Sequence, residues 1–321
     1  MKDYEEIKVL IDKEIQKISF PDSPNSLYDP INYIIALKAK RMRPTLVLLA
    51  HQLFNKDFNN AIYPALAIEI FHNFTLLHDD IMDNAPLRRG VPTVHEKWDK
   101  NTAILAGDTM LIHAYKIISR ANNSILKNVL DVFSQAAKEV CEGQQKDMEF
   151  EGDYAVTLQE YMKMIENKTA VLLAASLKIG GITAGASLEN QDHLYEFGRN
   201  IGIAFQLKDD LLDTFGTPKN FGKKVGGDII ANKKTFLYLK TLQLAEAKDR
   251  HKLKLYYQDN FSEQDKVENV KLIFEKYQVS KHTTDMMKVY YTKAIKHLDA
   301  IESNNKEPLI YFANKLMYRI S

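Results

Sequence analysis

Residues 70–83, IFHNFTLLHDDIMD, form an apolar run that ends in three aspartates. Residues 201–213, IGIAFQLKDDLLD, have the same organisation. In both stretches the apolar positions recur at helical spacing, which predicts two helices that each end in the pattern Asp-Asp-x-x-Asp. The first aspartate motif is Asp79, Asp80 and Asp83, and the second aspartate motif is Asp209, Asp210 and Asp213.

The spacing of the aspartates favours a metal site over a solvated helix end. Positions i and i+4 share one face of a helix, so Asp79 and Asp83 lie about 6 Å apart along the axis. Neighbouring carboxylates repel each other and are costly to desolvate, and a bound dication removes that cost. A single motif of this kind is usually a solvated helix end, but two copies that both follow apolar runs favour metal binding. Oxygen ligands alone suit Mg²⁺, whereas the glycine and the later glutamate of an EF-hand loop are missing.

The rest of the chain has the periodicity of a helical protein. Ile7, Leu10, Ile11 and Ile15 follow helical spacing, and alternating strand patterns are missing. The sequence therefore predicts an all-α protein, a single large helical bundle. The predicted loops are residues 21–30, 55–60, 88–92, 180–187 and 216–227.

Composition excludes several classes of protein. The chain has 321 residues, 45% of them hydrophobic, and a formal net charge of +1, which argues against a nucleic-acid-binding protein. It shows no domain boundary, so a single domain over residues 1–321 is expected. Cys141 is the single cysteine, which fits a reducing cytoplasm. The sequence predicts neither a signal peptide nor a transmembrane segment.

Basic residues near the motifs predict anion sites. Guanidinium groups match the oxygens of a diphosphate, although a pair of arginines is as often a solvated surface. Beside a magnesium site, two anion pockets are the better explanation, one bridged by metal and one held by basic side chains. The candidates close to the first motif are Lys40, Arg43, His72, Arg88 and Arg89. Further candidates, each more often an ordinary surface or cap residue, are Lys168, Thr169, Gln206, Lys223 and Lys233.

At these residues the sequence resembles the trans-isoprenyl diphosphate synthase family. The resemblance spans nearly the whole chain, and its main matches are LLHDDIMD at residues 76–83, RRGVPT at residues 88–93 and AFQLKDDLLD at residues 204–213. It implies an all-α bundle around a deep central cavity, and usually a homodimer. The implied reaction joins isopentenyl diphosphate to an allylic diphosphate, which is dimethylallyl, geranyl or farnesyl diphosphate.

The resemblance also implies roles for individual residues. Asp79 and Asp83 would hold two magnesium ions and Asp209 a third, with Asp80 and Asp210 as further catalytic residues. Arg88, Lys168 and Lys233 would contact the allylic diphosphate, with Lys223 nearby. Lys40, Arg43, His72 and Arg89 would bind isopentenyl diphosphate. Thr169 and Gln206 would face the developing carbocation.

Product length is predicted from the helix that precedes the first motif. Phe74 and Phe71 lie about one and two turns before Asp79, and Thr75 is beside Phe74. Packing in the core is an equally good explanation for both phenylalanines. In the family that the sequence resembles, an aromatic residue five positions before the motif is typical of short-chain enzymes. This pattern predicts geranylgeranyl diphosphate as the product, with farnesyl diphosphate as the alternative.

Three other functions remain open at this point. A type I terpene cyclase also ionises an allylic diphosphate but binds no second diphosphate, so Lys40, Arg43 and Arg89 favour the synthase. An HD-type phosphohydrolase would need further histidine ligands, and a regulatory subunit would be expected to have lost aspartates. The sequence also departs from the family at two loops, where residues 38–39 and Asn232 stand in place of usual glycines.

Overall fold

The computed structural model describes residues 2–216, 225–258 and 261–318. It is 77% helical, which confirms the predicted all-α class. The helices of the first half are α1 (Tyr4–Ile15), α2 (Asn25–Ala36), α3 (Met42–His51), α4 (Ile62–Met82), α5 (Val94–Lys97), α6 (Lys100–Ile118) and α7 (Asn123–Gly152). Those of the second half are α8 (Leu158–Ile165), α9 (Val171–Thr183), α10 (Leu188–Phe215), α11 (Gly227–Ile230), α12 (Phe236–Leu244), α13 (Ala247–Tyr256), α14 (Glu263–Lys276), α15 (Val279–Ala300) and α16 (Glu307–Tyr318).

The chain forms two compact units built from interleaved segments. Unit 1 contains Met1–Gln135, Ala175–Tyr195 and Ile301–Leu309. Unit 2 contains Ala136–Ala174, Glu196–Ala300 and Ile310–Ser321. The single domain and the central cavity stay predictions.

Helix α4 forms the centre of unit 1. It is apolar on most of its surface, and Ala67, Ile68, Ile70 and Phe71 are at most 1% exposed. A helix that is hydrophobic on all sides must be covered on all sides, and α4 packs against α1, α2, α3 and α6. The helix that ends in the first aspartate motif is therefore held by neighbours along its length.

Unit 2 is organised in the same way around the second half of α10. Phe197, Ile201 and Leu207 have no exposed surface. Gly202 lets α10 approach the start of α9, because a Cβ atom at this position would lie 2.6 Å from the Cα of Ala170. Any larger side chain would push these two segments apart, and α10 carries the second aspartate motif.

The predicted loop at residues 88–92 is in fact a short β-hairpin. Strand β1 (Leu87–Arg88) pairs in antiparallel register with β2 (Val91–Pro92). The two residues between them, Arg89 and Gly90, have φ angles of 55° and 81°. Positive φ at both positions is the geometry of a tight hairpin turn that matches the twist of the strands. The sequence missed it because Arg89 stands where asparagine or aspartate is usual.

The predicted loop at residues 21–30 is wrong for its second half. Helix α2 begins at Asn25, directly after Pro24, and contains Pro30. A proline lacks the backbone N–H group and usually breaks a helix interior. Here Pro30 lies at the middle of the helix, and it is buried together with Ile31 and Ile34. Burial of this apolar face outweighs the one missing hydrogen bond.

None of the helices in the described part of the chain combines the length and the apolar character of a membrane span.

Candidate active site

The first aspartate motif lies at the C-terminal end of α4. Asp79 is half-buried in the last turn, and Asp83 is exposed and caps the helix, with its N–H donating to the carbonyl oxygen of Asp79 at 2.8 Å. The C-terminal end of a helix carries partial negative charge, so it disfavours carboxylates and favours cations. Two carboxylates in this position are therefore a site that a bound cation would stabilise.

Asp80, the central residue of the motif, is buried and forms an ion pair with another side chain of the protein. Its side chain is 3% exposed and accepts hydrogen bonds from Arg88, at 2.5 Å from Nη2 and at 3.0 and 3.1 Å from Nε. Burial raises the pKa of the Asp80 carboxyl, and the guanidinium of Arg88 opposes that rise. This two-pronged contact fixes Arg88 beside the motif.

Four arginines surround His72 next to this motif, and we call Arg41, Arg43, Arg88 and Arg89 the arginine cluster. Nη1 of Arg43 lies 2.9 Å from Nε2 of His72. Burial lowers the pKa of His72 well below its usual value, and the four guanidinium groups lower it further. The imidazole is therefore neutral at neutral pH, and since arginine only donates, Nε2 accepts and Nδ1 carries the proton.

The turn before α3 is held by a buried ion pair. Nη1 of Arg41 donates to Oε1 of Glu69 at 2.7 Å, and both side chains are at most 6% exposed. Nη2 of Arg41 also donates to the carbonyl oxygen of Ile35 at 2.8 Å. These contacts hold Arg41 at a φ of 50°, a left-handed conformation that few residues other than glycine adopt. The exposed Lys40 and the half-buried Arg43 flank this anchor.

The arginine cluster has more positive than negative charge. Its carboxylate partners are Glu69, Asp80 and Asp12, whose Oδ1 lies 3.5 Å from Nε of Arg41, so four guanidiniums face three carboxylates. Burial lowers the pKa of Arg43 to about 10, which leaves it charged at neutral pH. Nη1 of Arg89 donates to the carbonyl oxygen of Leu37 at 3.3 Å. A group of guanidiniums with surplus positive charge, of which only Arg89 is exposed, suits the binding of an anion.

The second aspartate motif lies within α10, which continues to Phe215. Asp209 is half-buried, whereas Asp213 is 7% exposed and its Oδ2 accepts from the N–H of Asp228 at 2.9 Å. This contact joins Asp213 to the N-terminal end of α11. Asp209 is thus the more accessible end of the second motif.

Asp210 is buried in a polar chain that connects three elements. The hydroxyl of Tyr161 donates to its Oδ2, and Nε2 of Gln206 donates to its Oδ1 at 3.0 Å. The hydroxyl of Thr169 in turn donates to Oε1 of Gln206 at 3.0 Å. Burial raises the pKa of Asp210 well above its usual value, and the negative charge of Asp228 adds to this effect.

A π-helical turn, Glu166–Ala170, positions Lys168 and Thr169 between α8 and α9. Such turns occur often at functional sites because they displace side chains from the regular helical face. Gly143 of α7 allows the close packing of this turn, since a Cβ atom there would lie 2.3 Å from the backbone nitrogen of Lys168. The turn therefore depends on a glycine that lies 25 residues before Lys168.

Asp147 joins two predicted diphosphate-binding lysines. Its Oδ2 lies 2.6 Å from Nζ of Lys168 and 3.5 Å from Nζ of Lys233. Burial acts to raise the pKa of the Asp147 carboxyl, but the two ammonium groups hold it below its usual value. These side chains line a cavity of about 90 Å³, which we call the Asp147 pocket. Its walls include Asp147, Tyr161, Lys168, Thr169, Gln206, Asp210, Asp228 and Lys233.

The predicted chain-length residues lie in the core of unit 1. Phe71 is 1% exposed and packs edge-on against Phe133, with ring centroids 5.3 Å apart. Phe74 is 8% exposed and packs edge-on against His78 at 4.7 Å. Thr75 is half-buried, and its hydroxyl donates to the carbonyl oxygen of His72. Their role in product length stays a prediction.

Lys223, another predicted substrate-binding residue, lies outside the described residues.

The aspartates fit a metal that is shared with a substrate. Within residues 2–216, 225–258 and 261–318, no three His, Cys, Asp or Glu side chains are close enough to hold a metal ion by themselves. Mg²⁺ is commonly bound through one or two carboxylates, several waters and the phosphates of a substrate. In each unit the carboxylates of the motif, Asp79 and Asp83 in unit 1 and Asp209 in unit 2, suit binding of this kind better than an all-protein metal cage.

Comparison with known proteins identifies the family of this chain. The profile of the polyprenyl synthetase family matches residues 24–274. The chain is 40% identical to a geranylgeranyl diphosphate synthase of Methanosarcina mazei over 235 residues, which are 73% of this chain and 72% of that protein. The chain belongs to the polyprenyl synthetase family. The predicted family is therefore confirmed.

Solved structures of this family share the fold along the whole chain. A crystal structure of a geranylgeranyl pyrophosphate synthase superposes with a TM-score of 0.95 at 42% identity and covers 100% of both chains. A polyprenyl synthase of Caulobacter crescentus, crystallised with calcium and isoprenyl diphosphate, has a TM-score of 0.88 at 25% identity and covers 99% of this chain and 96% of its own. The family is one of metal-dependent prenyltransferases.

Several residues of the site were missed in the sequence. Glu69 could have been recognised from the sequence, because it is a carboxylate in an otherwise apolar helical run. Asp147 was part of a lesser family match but was not predicted as a site residue. Asp228 was likewise part of a lesser family match and was not predicted as a site residue. Tyr161 left no local signal, since its partner Asp210 lies 49 residues away.

We predict that Asp147→Asn lowers the free energy of unfolding by about 3 kcal/mol at pH 7, because it leaves two ammonium groups without their shared carboxylate. The stabilisation is present above the usual carboxyl pKa of 3.8 and is lost as pH falls through the lower pKa of the folded state. Denaturant unfolding across pH should therefore show the largest difference from wild type near neutral pH and a shrinking difference below pH 4. Asp192→Asn, in an ion pair whose carboxylate is 70% exposed, is the control. A difference that does not change with pH would contradict the prediction.

Proposed function

We propose that this protein is a magnesium-dependent prenyl diphosphate synthase that joins isopentenyl diphosphate to an allylic diphosphate and releases geranylgeranyl diphosphate. Family membership confirms a short-chain prenyltransferase and does not favour a terpene cyclase. The names of the relatives support the C20 product. Dimethylallyl, geranyl and farnesyl diphosphate are the proposed allylic substrates.

One observation carries this proposal, namely that each unit has its own cationic group beside its own aspartate motif. Unit 1 has the arginine cluster near the first motif, and unit 2 has Lys168 and Lys233 in the Asp147 pocket near the second motif. Two cationic groups suit two diphosphates, whereas a cyclase binds one. We assign isopentenyl diphosphate to Lys40, Arg43, His72 and Arg89, and the allylic diphosphate to Arg88, Lys168, Lys233 and the metal ions, with Lys223 as a further contact.

The proposed metal ligands are Asp79, Asp83 and Asp209. We propose three Mg²⁺ ions, the number that the family resemblance implies. When bound, they would supply positive charge to the oxygens of the leaving diphosphate. The calcium and isoprenyl diphosphate held by the Caulobacter crescentus relative support a site of this kind.

The protein's own residues would act on the charge that develops when the allylic carbon–oxygen bond breaks. The ammonium groups of Lys168 and Lys233 would balance the charge of the departing diphosphate. The hydroxyl proton of Thr169 is engaged by Gln206, so its oxygen lone pairs remain available to an allylic cation. The double bond of isopentenyl diphosphate attacks that cation, and the proton then lost goes to the departing diphosphate. Phe150, Met164 and Ile165, which also line the Asp147 pocket, would help to exclude water, which would otherwise quench the cation.

Incubation with isopentenyl diphosphate, Mg²⁺ and each allylic substrate, followed by product sizing, tests the function. A C20 product from each primer is expected. Asp79→Ala should reduce turnover by about 100- to 1000-fold, because charge stabilisation of the leaving group is lost, while circular dichroism stays unchanged. Asp131→Ala removes a carboxylate that is 61% exposed and should have no effect. Near-normal turnover in Asp79→Ala, or a cyclic product without uptake of isopentenyl diphosphate, would contradict the proposal.

Phe74→Ala should lengthen the product beyond C20, because removing the ring opens space below the first motif. Chromatography of the dephosphorylated products measures the chain length. Tyr63→Ala, on the same helix but 40% exposed, should leave the length unchanged. An unchanged product in Phe74→Ala would mean that this ring only packs the core.

We also propose that the protein is a homodimer that uses α6 as an interface. Ile104, Leu105, Ile112 and Tyr115 lie on this helix and are 43, 59, 69 and 37% exposed. An apolar stripe of this kind marks an interaction surface.

We also propose a cytoplasmic location. It is supported by the single cysteine and is tested by cell fractionation.

Light scattering should give the wild type twice the chain mass of 36.9 kDa. Ile112→Asp should shift the protein towards the single-chain mass, because a buried unpaired carboxylate opposes association. Lys127→Asp, at a lysine of α7 whose side chain is 84% exposed, should remain dimeric. A monomeric wild type would rule out the interface.

A further inference from the structure

The turn that carries Lys233 has an asparagine in a conformation that favours glycine. This turn joins α11 to α12, and Asn232 has a φ of 59°. Asparagine is tolerated in the left-handed region because its short polar side chain can be held by hydrogen bonds. What holds the side chain of Asn232 therefore decides how well the turn is defined.

Two buried lysines lie behind this turn and bind its oxygens. Lys266 of α14 is 6% exposed, and its Nζ donates to Oδ1 of Asn232 at 2.5 Å and to the carbonyl oxygen of Ile230 at 3.3 Å. Lys234 is 4% exposed, and its Nζ donates to the carbonyl oxygen of Asn232 at 2.9 Å and to that of Glu151 at 3.4 Å. The backbone and the side chain of Asn232 are thus held by different ammonium groups.

Neither ammonium group forms an ion pair with a carboxylate among the residues that the structure describes. Burial lowers the pKa of both Lys234 and Lys266. Aromatic rings compensate in part, with Nζ of Lys266 at 5.4 Å from the ring of Tyr257 and Nζ of Lys234 at 5.1 Å from the ring of Tyr154. Since a buried cation must be paired or hydrogen-bonded, the turn oxygens are the main polar partners of Lys266.

The position of Lys233 depends on the backbone of this turn. Its N–H donates to the carbonyl oxygen of Asp228 at 2.9 Å, and its side chain reaches the Asp147 pocket. A lysine side chain has a flexible four-carbon stem, so its ammonium is placed reliably only when the backbone is fixed. The contacts of Lys234 and Lys266 with the turn oxygens therefore affect where the ammonium group of Lys233 lies.

We propose that Asn232 and Lys266 are a positioning pair, which holds the turn so that Lys233 presents its ammonium group to the allylic diphosphate. Lys266 compensates for the absence of a glycine at position 232, because its hydrogen bond defines an otherwise strained turn. Neither residue touches the substrate. This inference rests on the proposed function, in which Lys233 binds that diphosphate.

Asn232→Gly tests the hydrogen bond without changing the backbone conformation that the turn needs. Glycine adopts positive φ without cost, so this variant keeps the turn geometry accessible and loses only the contact with Lys266. We expect the KM for the allylic diphosphate to rise about tenfold, the size of one lost hydrogen bond to a charged group, while the KM for isopentenyl diphosphate stays within about twofold of wild type. Lys266→Met, which keeps the length of the side chain, should have the same effect. Equal changes in both KM values would overturn the proposal.

The double variant Asn232→Gly/Lys266→Met tests whether the two residues act together. Removing either partner breaks the same contact, so the double variant should be no worse than either single variant. An effect equal to the product of the two single effects, about 100-fold, would overturn the proposal because it would mean independent roles. Lys281→Met, at an exposed lysine of unit 2, controls for the loss of one positive charge.

Calorimetric titration with inorganic diphosphate and Mg²⁺ provides a readout that does not depend on turnover. Asn232→Gly should weaken binding about tenfold while its circular dichroism spectrum stays that of wild type. A lower melting temperature with unchanged diphosphate affinity would show a merely structural role and overturn the proposal. A wild type without synthase activity would refute the proposed function, whereas an active wild type with an unaltered Asn232→Gly variant would refute the positioning pair.

Discussion

Burial of the central aspartate in each motif is the interaction on which the candidate site depends. Asp80 and Asp210 are both at most 3% exposed and both bind polar groups of the protein, Arg88 in one case and Tyr161 with Gln206 in the other. A buried carboxylate must have such partners, so each contact fixes the rotation of its helix. On a helix, the first aspartate of each motif then lies on a different face from the central one. Asp79 and Asp209, both half-buried, are the residues of these motifs that we propose as metal ligands.

Two turns that carry basic residues use the same device. Arg41 and Asn232 are not glycines, yet both have positive φ angles, 50° and 59°. In both, the side chain is held by a buried group of opposite or complementary polarity, Glu69 for Arg41 and Lys266 for Asn232. A turn that a glycine would leave loosely defined is thereby held in one conformation. The neighbouring basic residues then lie on a fixed backbone, as a site for diphosphates requires.

The sequence predicted those parts of the structure that depend on local spacing. The helical class and the two aspartate motifs follow from residues three or four positions apart, and the structure confirms the class. The partners of Asp80 and Asp210 were harder to predict. Arg88 lies on the first strand of a hairpin whose turn has an unusual first residue, and Tyr161 is 49 residues from Asp210. The buried pair of Arg41 and Glu69 likewise joins positions 28 residues apart. Contacts of this kind depend on packing, which no single stretch of sequence encodes.

A crystal structure with Mg²⁺ and an unreactive thio analogue of an allylic diphosphate tests the account most directly. The account predicts metal ions on the carboxylates of Asp79, Asp83 and Asp209, bridged by the diphosphate. Asp80 should still bind Arg88, and Asp210 should still bind Tyr161. Metal ions on Asp80 or Asp210, or a diphosphate bound without contact to any of the outer aspartates, would contradict it.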